Sequence, residues 1–191
     1  LTASGGTSYL WNTGNSASTA ANNFTTVGTY TVSVTATNSN GCTASTSQAI
    51  TVNEVPSNTI SFNGPSAICS GAATNISVPS GASYLWSNGA TTNAITVTTA
   101  GTYTVTATSG AGCTSTSSQA VVALSNPVAS VTATAPNMTC VISNVSFTAS
   151  GGNTYAWSTG ATTAGINTST VGMYTVTVTN ANGCTDSEQI Y

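Results

Sequence analysis

Three unrelated markers in this chain repeat at one interval. Trp86 and Trp157 are 71 residues apart, Cys42, Cys113 and Cys184 fall at steps of 71, and so do Cys69 and Cys140. Pro56 and Pro127 keep the same spacing. A period shared by independent residue types is the signature of a repeat array, and it limits the fold to one small unit copied about three times. Counting from the aromatic stretch sets the copies at residues 1–54, 55–125 and 126–191. The first copy starts on what looks like its second strand. The third stops before its last strand would finish. Both ends are therefore expected to be cuts in a longer polymer.

The unit itself is β. Tyr103-Thr104-Val105-Thr106-Ala107-Thr108 alternates apolar and hydroxyl residues, as do the stretches from Tyr30 and Tyr174. Alternation rich in Val, Thr and Tyr predicts half-buried strands, with Tyr and Val inward and Thr in water. No helical period occurs. Gly28, Gly101 and Gly172 precede the three Tyr strands by two residues and mark the turns into them. Asn40-Gly41, Asn88-Gly89 and Asn182-Gly183 are pairs that readily take positive φ in tight hairpins. The first copy is longer than the others, by two residues between Trp11 and Tyr30 and two more between Tyr30 and Cys42. Seven or so short strands per 71 residues predict an all-β array of small immunoglobulin-like β-sandwiches. Trp11, Trp86 and Trp157, with Tyr30, Tyr103 and Tyr174, are the expected core anchors. One buried Trp removes about 150–250 Å² from water, several kcal/mol in so small a domain. The rival reading places these aromatics outside as a platform for sugar rings.

Composition excludes whole classes of function. The chain has no Lys, Arg or His and only three acids, Glu54, Asp186 and Glu188. Nucleic-acid binding needs cations to displace phosphate counterions, so none is expected. No apolar run is long enough for a membrane-spanning helix. No base is tuned near neutrality and no cation is present to stabilise developing charge, so there are no candidate catalytic residues. The acids sit at positions that differ between copies and are expected on solvated surface. They do not cluster as calcium requires. Two Cys per copy without His do not complete a zinc site. No cofactor or metal is expected.

The cysteines allow two pairings. Cys69 precedes Cys113 by 44 residues, as Cys140 precedes Cys184, so one disulfide per copy (69–113 and 140–184) is the first expectation, with Cys42 unpaired. In a simple sandwich those two positions lie at opposite ends, too far for a bond. The alternative joins residues 27 apart, Cys42 to Cys69 and Cys113 to Cys140, and would staple neighbouring copies. Either requires an oxidising, extracytoplasmic location.

The middle copy carries Ile68-Cys69-Ser70-Gly71, then Tyr84-Leu85-Trp86-Ser87-Asn88-Gly89-Ala90-Thr91-Thr92, then Ala100-Gly101-Thr102-Tyr103-Thr104-Val105-Thr106, then Gly112-Cys113. This order resembles the tandem immunoglobulin-like or PKD-like repeats of giant Bacteroidetes surface proteins. The best-known of these are gliding-motility adhesins exported by type IX secretion. The resemblance covers nearly the whole chain. It departs from the acidic motif of true PKD domains, since Ser87 and Asn88 follow Trp86. It implies a structural and adhesive segment of a secreted protein on the bacterial cell surface. Its partners would be neighbouring repeats, surface polysaccharide or substratum. Secretion and anchoring machinery would engage regions outside this segment. The alternative is a carbohydrate-binding module, for which exposed Trp is the discriminating feature.

Overall fold

A computed structural model describes residues 1–81, 83–134 and 144–191. The described residues form sixteen strands and no helix, so no helix is long and apolar enough to cross a membrane. Repeat 1 contributes β1 (Ser8–Trp11), β2 (Gly28–Thr37) and β3 (Thr43–Val52). Repeat 2 contributes β4 (Ser61–Phe62), β5 (Ala67–Cys69), β6 (Thr74–Ser77), β7 (Ser83–Trp86), β8 (Ala94–Val97), β9 (Gly101–Thr108) and β10 (Thr114–Leu124). Repeat 3 contributes β11 (Ser130–Thr134), β12 (Val145–Ser150), β13 (Thr154–Trp157), β14 (Gly165–Thr168), β15 (Tyr174–Thr179) and β16 (Thr185–Ile190).

Repeat 2 shows the unit most fully. One sheet runs β4-β6-β8 and the other β5-β10-β9-β7. Their inner faces meet on Ile68, Ile76, Tyr84, Trp86, Ile95, Val97, Val105, Ala107 and Val121, all buried. Seven strands in two sheets, with the first strand split so that β5 runs parallel to the last strand, make an immunoglobulin-like sandwich. Repeat 3 repeats the pattern as β11-β12-β14 and β13-β15-β16, around Phe147, Trp157, Tyr174, Val176 and Val178. In repeat 1, β1-β2-β3 form the second sheet, and a single bridge, Thr2 to Thr19, stands where β6 and β8 pair in repeat 2. The chain is an all-β tandem array of immunoglobulin-like sandwiches.

The Trp residues lie inside. Trp11, Trp86 and Trp157 are at most 4% exposed. Each indole Nε1 donates to the carbonyl six residues on, of Ala17, Thr92 and Thr163, at 2.8–2.9 Å. That bond satisfies the polar end of an otherwise apolar ring. Antibody domains pack this Trp against a disulfide between the second and sixth strands. Here Ile76 and Val105, both fully buried, stand on those strands, so the cysteines are free for other work. Tyr174 is buried, while Tyr30 and Tyr103 are half-buried. The hydroxyl of each donates to the carbonyl four residues upstream, of Thr26, Thr99 and Thr170.

Two local expectations need correction. Trp11 opposes Val34 as Trp86 opposes Val105, and these partners are 71 apart. By register Val32, not Tyr30, matches Tyr103, so all four inserted residues of repeat 1 fall between Trp11 and Val32, two of them before β2 and two lengthening its start. The slip is by two residues, which preserves the inward face. The hairpins also differ from the expected form, because among the described residues none other than Gly takes positive φ. Gly89 donates to Trp86 O (2.9 Å) and Trp86 N donates to Ala90 O (2.8 Å). This is a type I turn closed by a left-handed Gly with φ 84°, in which Asn88 keeps negative φ.

Candidate functional site

Among the described residues no group of three or more His, Cys, Asp or Glu could hold a metal ion. The Trp residues offer no outer platform. Among the described residues Tyr191 is the one aromatic member of the exposed large apolar side chains, and it lines a groove with Val171 and Tyr174. The outward face of the β7-β9-β10 sheet is a grid of hydroxyls. Thr104 Oγ1 meets Ser118 Oγ at 2.8 Å and Thr106 Oγ1 meets Thr116 Oγ1 at 3.3 Å, with Leu85 beside them. Thr35 with Ser45 and Thr177 with Ser187 stand at the place of the second pair in the other repeats.

The chemistry concentrates instead where repeat 2 meets repeat 3. Cys42, Cys113 and Cys184 each follow the left-handed Gly of the hairpin between the last two strands of their repeat. Asn180 builds the third of these hairpins. Its Oδ1 accepts from the N–H groups of Asn182 and Cys184, both at 3.0 Å. Its Nδ2 donates across the junction to Ser125 O at 2.8 Å. Asn126, next in the crossing segment, donates from Nδ2 to Ser70 O at 3.3 Å, beside Cys69. Ser125 and Asn126 thus lie between the end of β5 and the tip of the β15–β16 hairpin. Around them Pro127 and Ala129 are buried.

Across that gap Cys69 is bonded to Cys184, with 5.5 Å between their Cα atoms. This corrects the expected pairing of Cys69 with Cys113. The reason is the parallel pairing of β5 with β10, which sets Cys69 opposite Leu124. Cys113 precedes the other end of β10, eleven residues back, or about 37 Å at strand rise. A disulfide needs Cα atoms within about 7 Å. Cys184 is therefore not bonded to Cys140, which lies outside the described residues. The alternative pairing of Cys42 with Cys69 is likewise not made. Cys42 is exposed and Cys113 half-buried, and neither carries a disulfide.

Asp186 is also placed differently from the expectation of open surface. It is half-buried, and its Oδ2 accepts the Ala129 N–H at 2.9 Å. In repeat 2 the matching residue is Ser115, whose Oγ donates to Pro56 O at 2.6 Å. Both tie the segment entering a repeat to that repeat's last strand, with opposite hydrogen-bond polarity. The matching face of repeat 1 is a groove of about 450 Å³, lined by Leu1–Ser4, Trp11, Val32 and β3. Glu54 and Glu188 are exposed.

Asn180→Ala should show what the junction bonds contribute. It strands the Cys184 and Asn182 N–H groups and the Ser125 carbonyl together. We expect a loss of about 1–3 kcal/mol, confined to repeat 3 in urea unfolding followed by amide exchange. An exchange pattern unchanged at β15 and β16 would show that these bonds carry little.

No protein-family model matches the chain, and no curated protein sequence matches it. Solved structures do. The chain is similar to a Ca2+-stabilized adhesin that helps an Antarctic bacterium reach out and bind ice, at 19% identity and a TM-score of 0.41. That match covers 84% of this chain and 55% of the other, so the chain spans about half its length. It is similar to a 1.5-MDa bacterial ice-binding adhesin at 15% identity, over 84% of this chain and 72% of that one, with a TM-score of 0.43. It is also similar to an amphioxus IgVJ-C2 molecule at 20% identity, over 62% and 90% of the two chains, with a TM-score of 0.31. The immunoglobulin-like assignment itself rests on the strand order described above.

Proposed function

We propose that the chain is a stalk segment of a long extracellular adhesin on a bacterial cell surface. The observation that carries this reading is the covalent bond between consecutive sandwiches whose Trp residues are spent on their cores. Such a bond supports an oxidising, extracytoplasmic setting. A repeat that joins its neighbours and offers water a hydroxyl surface serves length and spacing. On this reading the partners are neighbouring repeats of the parent protein and the substratum or polysaccharide that the parent contacts. Export and anchoring belong to other parts of that parent. The sequence resemblance extends the proposal to the gliding-motility type of adhesin and to type IX secretion.

The test is binding of the purified chain to a panel of polysaccharides, read by Trp fluorescence. We expect no saturable binding, and blue-shifted emission that moves red only on unfolding. Saturable binding with quenching of the folded chain would overturn the stalk reading in favour of a carbohydrate-binding module.

A further inference from the structure

We infer that the Cys69–Cys184 bond is a mechanical bypass that carries tension around the body of repeats 2 and 3. This rests on the stalk reading for its purpose, but the covalent geometry stands apart from it. The two cysteines are 115 residues apart in sequence, and the loop between them holds β6 to β15. A pull on the two ends of the chain enters along residues 1–69, crosses the sulfur bridge and leaves along residues 184–191. Neither the core around Trp86 nor the core around Trp157 lies on that path, except through strands before Cys69 or after Cys184. Immunoglobulin-like domains in series ordinarily share the load, and the weakest opens first. Here the loop opens only if the S–S bond is broken.

The bond does not follow from one cysteine meeting another by chance of spacing. Four features of the junction hold its ends together: β5 laid parallel along β10, Asn126 on Ser70, Asn180 on Ser125, and a Cys184 that is 1% exposed. Cys42 and Cys113 close the same hairpin in their own repeats, and Cys140 stands 71 residues after Cys69. The offset of 115 residues takes each of these three to a position outside residues 1–191. The offset therefore pairs none of them with one another.

The extent of the bypass is measurable by stretching single molecules held at their two ends, with Cys42, Cys113 and Cys140 replaced by serine. Adding a dithiol, which is oxidised to its cyclic disulfide as Cys69 and Cys184 become thiols, should lengthen the fully stretched chain. The expected gain is about 400 Å, at about 3.3–3.6 Å per released residue, with additional unfolding steps from repeats 2 and 3. Cys184→Ser should show the long contour without any reductant. Equal contour lengths with and without the dithiol would overturn the bypass. So would a short contour in Cys184→Ser, or non-reduced peptides that join Cys69 to any other cysteine. Sugar binding with quenched Trp would end the stalk reading and leave these lengths unchanged.

Discussion

Trp86→Ala should unfold repeat 2 while repeats 1 and 3 keep their structure. The indole is 2% exposed and sits among Ile76, Ile95, Val97 and Val105. Truncating a buried Trp to Ala costs about 3–5 kcal/mol. A domain of this size has about 4–10 kcal/mol in all, from a typical 0.05–0.15 kcal/mol per residue. The variant also leaves the Thr92 carbonyl without its indole donor. Amide exchange read by NMR should show β7 and β9 losing protection while β1, β2, β13 and β15 retain it. Trp11 and Trp157 remain as fluorescent reporters of their own repeats. Protection of β9 within about tenfold of the parent would mean that the core does not depend on this ring.

Gly151→Ala is expected to be nearly as severe, for a backbone reason. Gly151 has φ +105°, and a Cβ there would lie 1.9 Å from the Val128 carbonyl oxygen and 2.8 Å from its carbon. The obstacle is main chain at the entry to repeat 3, which yields only if the junction shifts. A cost of about 3 kcal/mol or more follows, read as a lower urea midpoint for repeat 3. Gly160→Ala is the control. Its φ is +86° and nothing lies within 4 Å of the added carbon, so only the left-handed conformation is penalised, by about 1–2 kcal/mol. Equal losses in the two variants would show that the contact with Val128 does not constrain the junction.

Much of the sandwich was legible because its signals are local. Alternation of Val and Thr marks a strand by itself, and Trp86 announces a core because no other residue there is as large. The slip at Tyr30 was hidden for the same reason. Tyr30 makes the same four-residue hydroxyl bond as Tyr103 and Tyr174, so its local context looks identical. Only pairing with β1 and β3 reveals that Val32 holds the equivalent place. The hairpin type is not legible locally because Asn-Gly suits two turn types, and the flanking strands choose between them.

The disulfide was illegible for a different reason. Spacing within a copy is what a period displays, whereas the bond depends on β5 running parallel to β10 and on the next repeat folding its hairpin back. The first is a long-range pairing inside one unit, and the second lies beyond that unit altogether. The incompatibility of Cys69 with Cys113 could be argued from strand ends, but the true partner could not be reached without the junction. Asp186 shows the same limit. Its neighbours in sequence suggest open surface, and its contact with Ala129 comes from a segment 57 residues away.

The cross-strand pairs of Thr and Ser hydroxyls have a further consequence. With no Lys, Arg or His anywhere in the chain, no side-chain ion pair contributes to folding. Ionic strength acts on proteins chiefly by screening charges over a Debye length, about 10 Å at 0.1 M and 3 Å at 1 M. A surface that solvates itself through neutral hydroxyls gives dissolved sodium chloride almost nothing to screen. The same array should hold its shape in fresh water and in brine.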